Sequence, residues 1–146
     1  MEVLWPPANN SMNANNGAMV LKLNYAGRTI LFPGDIQEKA IVALLAHPQE
    51  LKADVLVAPH HGIAETRTAE FLRAVDPQII VCSNDRALSS KQQEFDHIAD
   101  QWPVYRTSKC GAIEVSIGRD GRVGVQTFIA PSDKFPDQRV ETAAVP

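Results

Sequence analysis

The chain has 146 residues and a formal net charge of −3, with 45% hydrophobic and 21% charged residues, which is typical of one globular domain with a buried core. The weak negative charge excludes a general attraction to nucleic acid or to anionic membranes, although it is compatible with a local basic pocket. No apolar run approaches the roughly eighteen residues that cross a bilayer, and no signal segment is evident. These features predict a cytoplasmic chain or a soluble domain of a larger membrane protein.

The first half of the sequence predicts strands grouped around one helix. A turn at Ala26-Gly27-Arg28 joins two strands into a hairpin, since glycine there provides the positive φ that such turns need. Apolar spacing predicts a helix that ends before Pro48. The predicted elements are strands at 2–5, 18–25, 29–32 and 55–58, an asparagine-rich loop at 8–17, and a helix at 36–46.

The second half continues the alternation of helices and strands. Two runs, at 55–58 and 78–82, are apolar apart from Gln78 and predict strands that are covered on both faces. The predicted elements are helices at 68–75 and 91–101, strands at 78–82 and 104–106, and a hairpin of 112–117 with 122–128. We predict one domain over residues 1–129, and an extended or disordered tail over residues 130–146, which contain several prolines.

Two apolar strands end in side chains that can bind metal. Thr29–Phe32 leads into Asp35, and Val55–Ala58 leads into His60 and His61. Because parallel α/β sheets collect their chemistry at the carboxyl edge of the strands, these side chains are expected to lie close together. A Gly-Asp after a strand is more often a turn or a helix N-cap, whereas adjacent histidines in a turn favour metal binding.

In order, these residues resemble the metallo-β-lactamase-like domain of ComEC-type competence proteins, which act in DNA uptake. The specific pieces are Gly34-Asp35-Ile36 and the segment 54–62, which reads Asp-Val-Leu-Val-Ala-Pro-His-His-Gly. The resemblance extends over roughly residues 2–117 and also includes residues 3–7, 19–21, 104–107 and 111–112. It implies an α/β (α+β) fold, namely the C-terminal half of an αββα sandwich. That half would be a mixed sheet with helices on one face and hairpins at both ends.

The resemblance also implies a site. Asp35 would bridge two divalent metal ions, zinc or manganese, and one histidine of the pair would be a ligand. We favour His61 as the ligand and His60 as a catalytic group facing substrate phosphate, although the sequence does not separate the two. Asn15 is the closest match to the polar residue that precedes the second strand in the family.

The chain departs from the family in ways that affect function. The family motif His-x-His-x-Asp-His is absent, and the remaining histidines, His47 and His97, are predicted to lie on the surface. Ile63-Ala64-Glu65 stands where the family usually has small hydroxyl residues. The sequence therefore predicts a hydrolase that is incomplete and inactive alone, whose partner is the missing N-terminal half or a second copy of the chain.

Two other interpretations remain open. The chain could be a degenerate, non-catalytic binding or structural module that associates with itself. It could also bind nucleic acid, or another phosphodiester, without chemistry. For that role, basic residues could line one edge: Arg67, Arg73, Arg86, Lys91, Arg106 and Lys109.

Overall fold

The computed structural model describes residues 1–8, 13–84 and 87–129. In this part of the chain, strands and helices alternate as the sequence predicts, and a 3-10 turn at Pro48–Leu51 follows the first helix. The strands are β1 (Glu2–Trp5), β2 (Val20–Tyr25), β3 (Arg28–Phe32), β4 (Val55–Val57), β5 (Ile79–Cys82), β6 (Val104–Arg106), β7 (Ile113–Ile117) and β8 (Val123–Thr127). The helices are α1 (Glu38–Leu44), α2 (Thr68–Val75), α3 (Ser90–Ile98) and α4 (Thr107–Cys110).

Six strands form one mixed sheet in the order β1-β2-β3-β4-β5-β6. The first three are antiparallel neighbours, and β3, β4, β5 and β6 pair in parallel. Strands β7 and β8 form a separate antiparallel hairpin. The predicted mixed sheet is therefore confirmed, and the carboxyl ends of its four parallel strands meet at one edge.

The sheet buries a different core on each face, as the uninterrupted apolar strands predict. One core contains Leu56 and Ile80 of the central strands together with the apolar sides of α1, α2 and α3. The other contains Val55 and Ile79, which alternate with them, together with residues of the β7–β8 hairpin. The C-terminal hairpin thus covers part of the second face.

The covered area does not extend over the whole second face. Val20 and Leu31 are fully buried on the helical side, so the alternate residues of β1 and β2 point the other way. Among these, Val3 is 56% exposed and Tyr25 is 53% exposed, and Leu23 is also exposed. We call this apolar area on β1 and β2 the outer face.

The helix boundaries differ from the prediction for local reasons. Helix α1 starts two residues later than predicted, and the side-chain oxygen of Asn16 accepts a 3.1 Å hydrogen bond from Ala40 N in its first turn. Helix α3 starts at Ser90 because Ser89 and Gln92 form a capping box. The predicted tail at 130–146 lies outside the described residues.

Candidate functional site

Four strand ends meet at the carboxyl edge of the parallel strands. Asp35 follows β3, and the His60-His61-Gly62 turn follows β4. Ser83 follows β5, and Thr107 follows β6. A 3.0 Å hydrogen bond from His60 N to Gly34 O links the first two ends directly. The sheet topology thus gathers residues that are far apart in sequence, as the strand-end argument predicts.

Asp35 and His61 lie side by side at this edge. The Nε2 atom of His61 is 3.7 Å from Oδ1 of Asp35. Both side chains remain open to solvent, with exposed fractions of 56% for the histidine and 50% for the aspartate. This separation is too long for a hydrogen bond, and it leaves both atoms able to approach a shared ligand from the solvent side.

The other ring nitrogen of His61 fixes the tautomer. Its Nδ1 lies 2.9 Å from the carbonyl oxygen of Ser83. A carbonyl oxygen only accepts, so the neutral ring carries its proton on Nδ1 and donates it to Ser83. The lone pair is then on Nε2, the atom that faces Asp35. Metal-binding histidines are commonly oriented by such a bond from their second ring nitrogen.

The turn that carries the histidines has an uncommon backbone. His60, His61 and Gly62 have consecutive positive φ values of 48°, 57° and 75°. For residues with a side chain this left-handed conformation costs about 1–2 kcal/mol each, so the surroundings must hold it. A Cβ at Gly62 would lie only 3.1 Å from Arg106 Nη1 and from Cys82 Sγ, so the turn packs closely on both.

Arg106 is the buried support beneath this turn. Its side chain is 1% exposed, and its Nε and Nη2 atoms donate to Asp96 Oδ1 at 2.8 and 2.5 Å. The guanidinium also lies 5.8 Å from the Phe95 ring centroid, within the cation–π range. The predicted placement of Arg106 on a basic edge is therefore wrong, because its ion pair with Asp96 draws it inward.

The remaining members of that basic set are less informative. Arg67 pairs with Glu70 one helical turn away. Arg73, Lys91 and Lys109 are exposed. Arg86 lies outside the described residues. A basic edge that binds nucleic acid thus stays a prediction, and Arg106 no longer belongs to it.

Cys82 packs beneath the histidine turn, and its thiol is unreactive. Burial raises its pKa to about 12, and the nearby Arg106 guanidinium offsets only part of that effect. The side chain is fully buried and forms no disulfide. The thiol thus stays protonated at physiological pH and packs as a small buried hydrophobe.

His60 points to a different neighbour from His61. Its Nδ1 is buried and lies 3.9 Å from Oε1 of Glu65, with no closer hydrogen-bond partner in the described part of the chain. Glu65 is thus beside the histidine that the sequence assigns to substrate phosphate. His60 as a catalytic residue remains a prediction.

The asparagine loop borders the site, and its buried hydrogen bonds are made by Asn16 rather than by Asn15. Asn15 is partly exposed, and its carbonyl accepts a 3.0 Å hydrogen bond from Ala18 N. The loop continues past Gly34, where a Cβ would lie 3.4 Å from Ala18 Cβ. Asn16 is buried and accepts from Trp5 Nε1 through its carbonyl at 2.6 Å. A site role for Asn15 stays a prediction.

The donor set fits part of a metal centre. A carboxylate oxygen and an oriented imidazole nitrogen are ligands that zinc and manganese accept. The residues that the structure describes contain no group of three or more histidine, cysteine, aspartate or glutamate side chains placed to hold a metal ion. His47 and His97, the other two histidines, are exposed, as predicted. Asp35 and His61 therefore fit as two ligands of a site that needs more.

The sequence alone did not identify the residues that hold the histidine turn in place, namely Ser83, Arg106 and Thr107. Ser83 follows an apolar strand, so the strand-end argument applied to Asp35 could have found it. An arginine that directly follows Val104 and Tyr105 in a short predicted strand was a signal for a buried ion pair. Thr107 follows the predicted strand at 104–106, so the same strand-end argument could have found it, whereas the bond from His61 to Ser83 O had no signal in the sequence.

Comparisons with known proteins give relatives at low identity. The chain is 29% identical over 125 residues to competence protein ComA of Neisseria gonorrhoeae, covering 82% of the chain and 18% of that protein. It is 27% identical over 135 residues to ComE operon protein 3 of Bacillus subtilis (strain 168), covering 90% and 17%. It is 28% identical over 83 residues to the uncharacterized protein YcaI of Escherichia coli (strain K12), covering 56% and 11%.

The chain is therefore similar to competence-type proteins, and it spans less than a fifth of the length of these relatives. No protein-family model matches it. Among the residues that the structure describes, every helix is too short or too polar to cross a membrane.

Proposed function

We propose that this chain forms part of a metal-dependent phosphodiesterase site of the ComEC type, in which Asp35 and His61 are ligands of zinc or manganese. The observation that carries the proposal is the 3.7 Å separation of Asp35 Oδ1 and His61 Nε2 at the carboxyl edge of a parallel sheet. The Nδ1 bond to Ser83 supports it, because it turns the free lone pair toward Asp35. The similarity to competence-type proteins supports a related role in DNA uptake.

The site is proposed to be shared with a second polypeptide segment. Zinc takes about four ligands, and two are at hand in the described residues. The family resemblance implies that a His-x-His-x-Asp-His segment supplies the others. The isolated chain is accordingly proposed to bind metal weakly and to be inactive.

Within the complete site, each residue of this chain has a distinct task. A bound metal ion would act as a Lewis acid on the phosphodiester. Asp35 and His61 would hold it, and the buried Arg106 would keep the histidine turn rigid. His60 would face the substrate phosphate with the accessible part of its ring, since its Nδ1 is buried beside Glu65.

The exposed outer face supports the need for a partner. Val3, Leu23 and Tyr25 form an apolar area on one side of the sheet, where a second layer can pack. We propose the missing half of the domain as that layer. A second copy of this chain is the alternative, and light scattering of the isolated chain at high concentration distinguishes a dimer from a monomer.

A second candidate function is a non-catalytic binding or structural module. The incomplete donor set among the described residues favours it, since a degenerate domain would lose ligands while keeping its fold. The two functions differ in whether Asp35 and His61 act together on a metal ion.

Calorimetric titration with zinc tests the main proposal on the isolated chain. We expect weak binding, which Asp35→Ala and His61→Ala each reduce by at least about tenfold, because even the outer partners of metal ligands contribute that much. Asp100→Ala and His97→Ala are matched controls, since both side chains are exposed, and they should bind as the unmodified chain does. Equal affinity in all five proteins would overturn the metal site and leave the module interpretation.

A further inference from the structure

The segment just after β5 is held by two hydrogen bonds to the hydroxyl group of Thr107, which accepts one and donates the other. Thr107 Oγ accepts from Asn84 N at 2.9 Å. The same hydroxyl donates to the carbonyl oxygen of Asn84 at 3.0 Å. The backbone N–H and C=O groups of Asn84 are thus both held by the side chain of Thr107, the residue that follows β6.

These two hydrogen bonds lie directly beside the Ser83 carbonyl group, which orients His61. Ser83 precedes Asn84, and its carbonyl oxygen accepts from His61 Nδ1 at 2.9 Å. The peptide bond between the two residues is planar, so fixing the nitrogen of Asn84 also fixes the plane of the Ser83 carbonyl. The hydroxyl of Thr107 therefore determines where that carbonyl oxygen points.

We propose that Thr107 is a positioning residue for His61, acting through the Ser83 carbonyl to keep the imidazole proton on Nδ1 and its lone pair on Nε2. The expected effect of Thr107 on metal affinity rests on the proposed function, in which His61 is a metal ligand. Thr107 itself need not touch metal or substrate. Its effect passes through the hydrogen bond that Asn84 N donates to the Thr107 hydroxyl and the one that His61 Nδ1 donates to the Ser83 carbonyl oxygen.

Long-range proton–nitrogen NMR on 15N-histidine-labelled protein tests the proposal, at a pH high enough for neutral rings. In the unmodified chain, the neutral ring of His61 should be protonated mainly on Nδ1. Thr107→Val, which removes the hydroxyl but keeps the shape, should shift the population toward protonation on Nε2. Zinc affinity should fall by about threefold to tenfold, below the loss typical of direct orienting partners.

Thr107→Ser keeps the hydroxyl and should restore both the tautomer and the affinity, which a merely steric role of the methyl group would not predict. If Thr107→Val fails to fold, Thr107→Ala removes the same hydroxyl without adding a methyl group. A folded variant without the hydroxyl whose His61 tautomer is unchanged would overturn the positioning role. Zinc binding that ignores His61→Ala would instead overturn the proposed function, and the tautomer shift would still be measurable.

Discussion

Replacing Arg106 with alanine should lower the free energy of unfolding by about 3 kcal/mol. Arg106 is among the largest fully buried side chains in the described structure, so its removal leaves a cavity beneath the histidine turn. It also leaves Asp96 without the partner to which it is bound at 2.5 and 2.8 Å. Breaking a buried ion pair costs about 3–5 kcal/mol, and the 30% exposure of Asp96 places this case at the lower end.

Chemical denaturation monitored by circular dichroism measures this loss. Arg122→Ala is the matched control, because Arg122 also pairs with an aspartate, Asp120, but is 66% exposed. That variant should change stability by less than about 1 kcal/mol, as surface pairs do. An Arg106 variant as stable as the Arg122 variant would refute the supporting role of the buried guanidinium.

The second large effect is expected when the chain is joined to a segment that carries the other proposed metal ligands. A segment that carries the His-x-His-x-Asp-His motif implied by the family resemblance can be fused to the amino end of this chain. We expect the fusion to hydrolyse bis(p-nitrophenyl) phosphate with manganese at least about a thousandfold faster than the isolated chain, since metal ions and fixed charges supply factors of that size. Asp35→Ala in the fusion should remove the gain.

The fusion carrying Asp100→Ala is the control for an unrelated change in surface charge and should keep the gain. A folded fusion that is no more active than the isolated chain would contradict the proposed shared site. So would strong metal-dependent turnover by the isolated chain that Asp35→Ala abolishes, because the chain would then hold a complete site by itself.

The fold and the two metal-competent residues could be predicted because they depend on local patterns. Apolar runs such as Ile79–Cys82 predict buried strands at any point in a sequence. The strand-end rule then brought Asp35 and His61 together from two such runs, without any knowledge of how the side chains pack.

The support of the site depends on contacts between distant segments, which local patterns do not encode. The pair of Arg106 with Asp96 joins β6 to α3, and the hydrogen bonds of Thr107 join the start of α4 to the segment after β5. The outer face likewise depends on how far the β7–β8 hairpin extends over the sheet. Periodicity predicted that hairpin but not where it would lie.

The central claim is that Asp35 and His61 bind one cation together. The most direct measurement is zinc titration of 15N-histidine-labelled protein, followed at the ring nitrogens. We expect the largest change at Nε2 of His61, and we expect Asp35→Ala to abolish it while Asp100→Ala leaves it intact. Changes spread equally over His47, His97 and His61, or a His61 response that does not depend on Asp35, would contradict the claim.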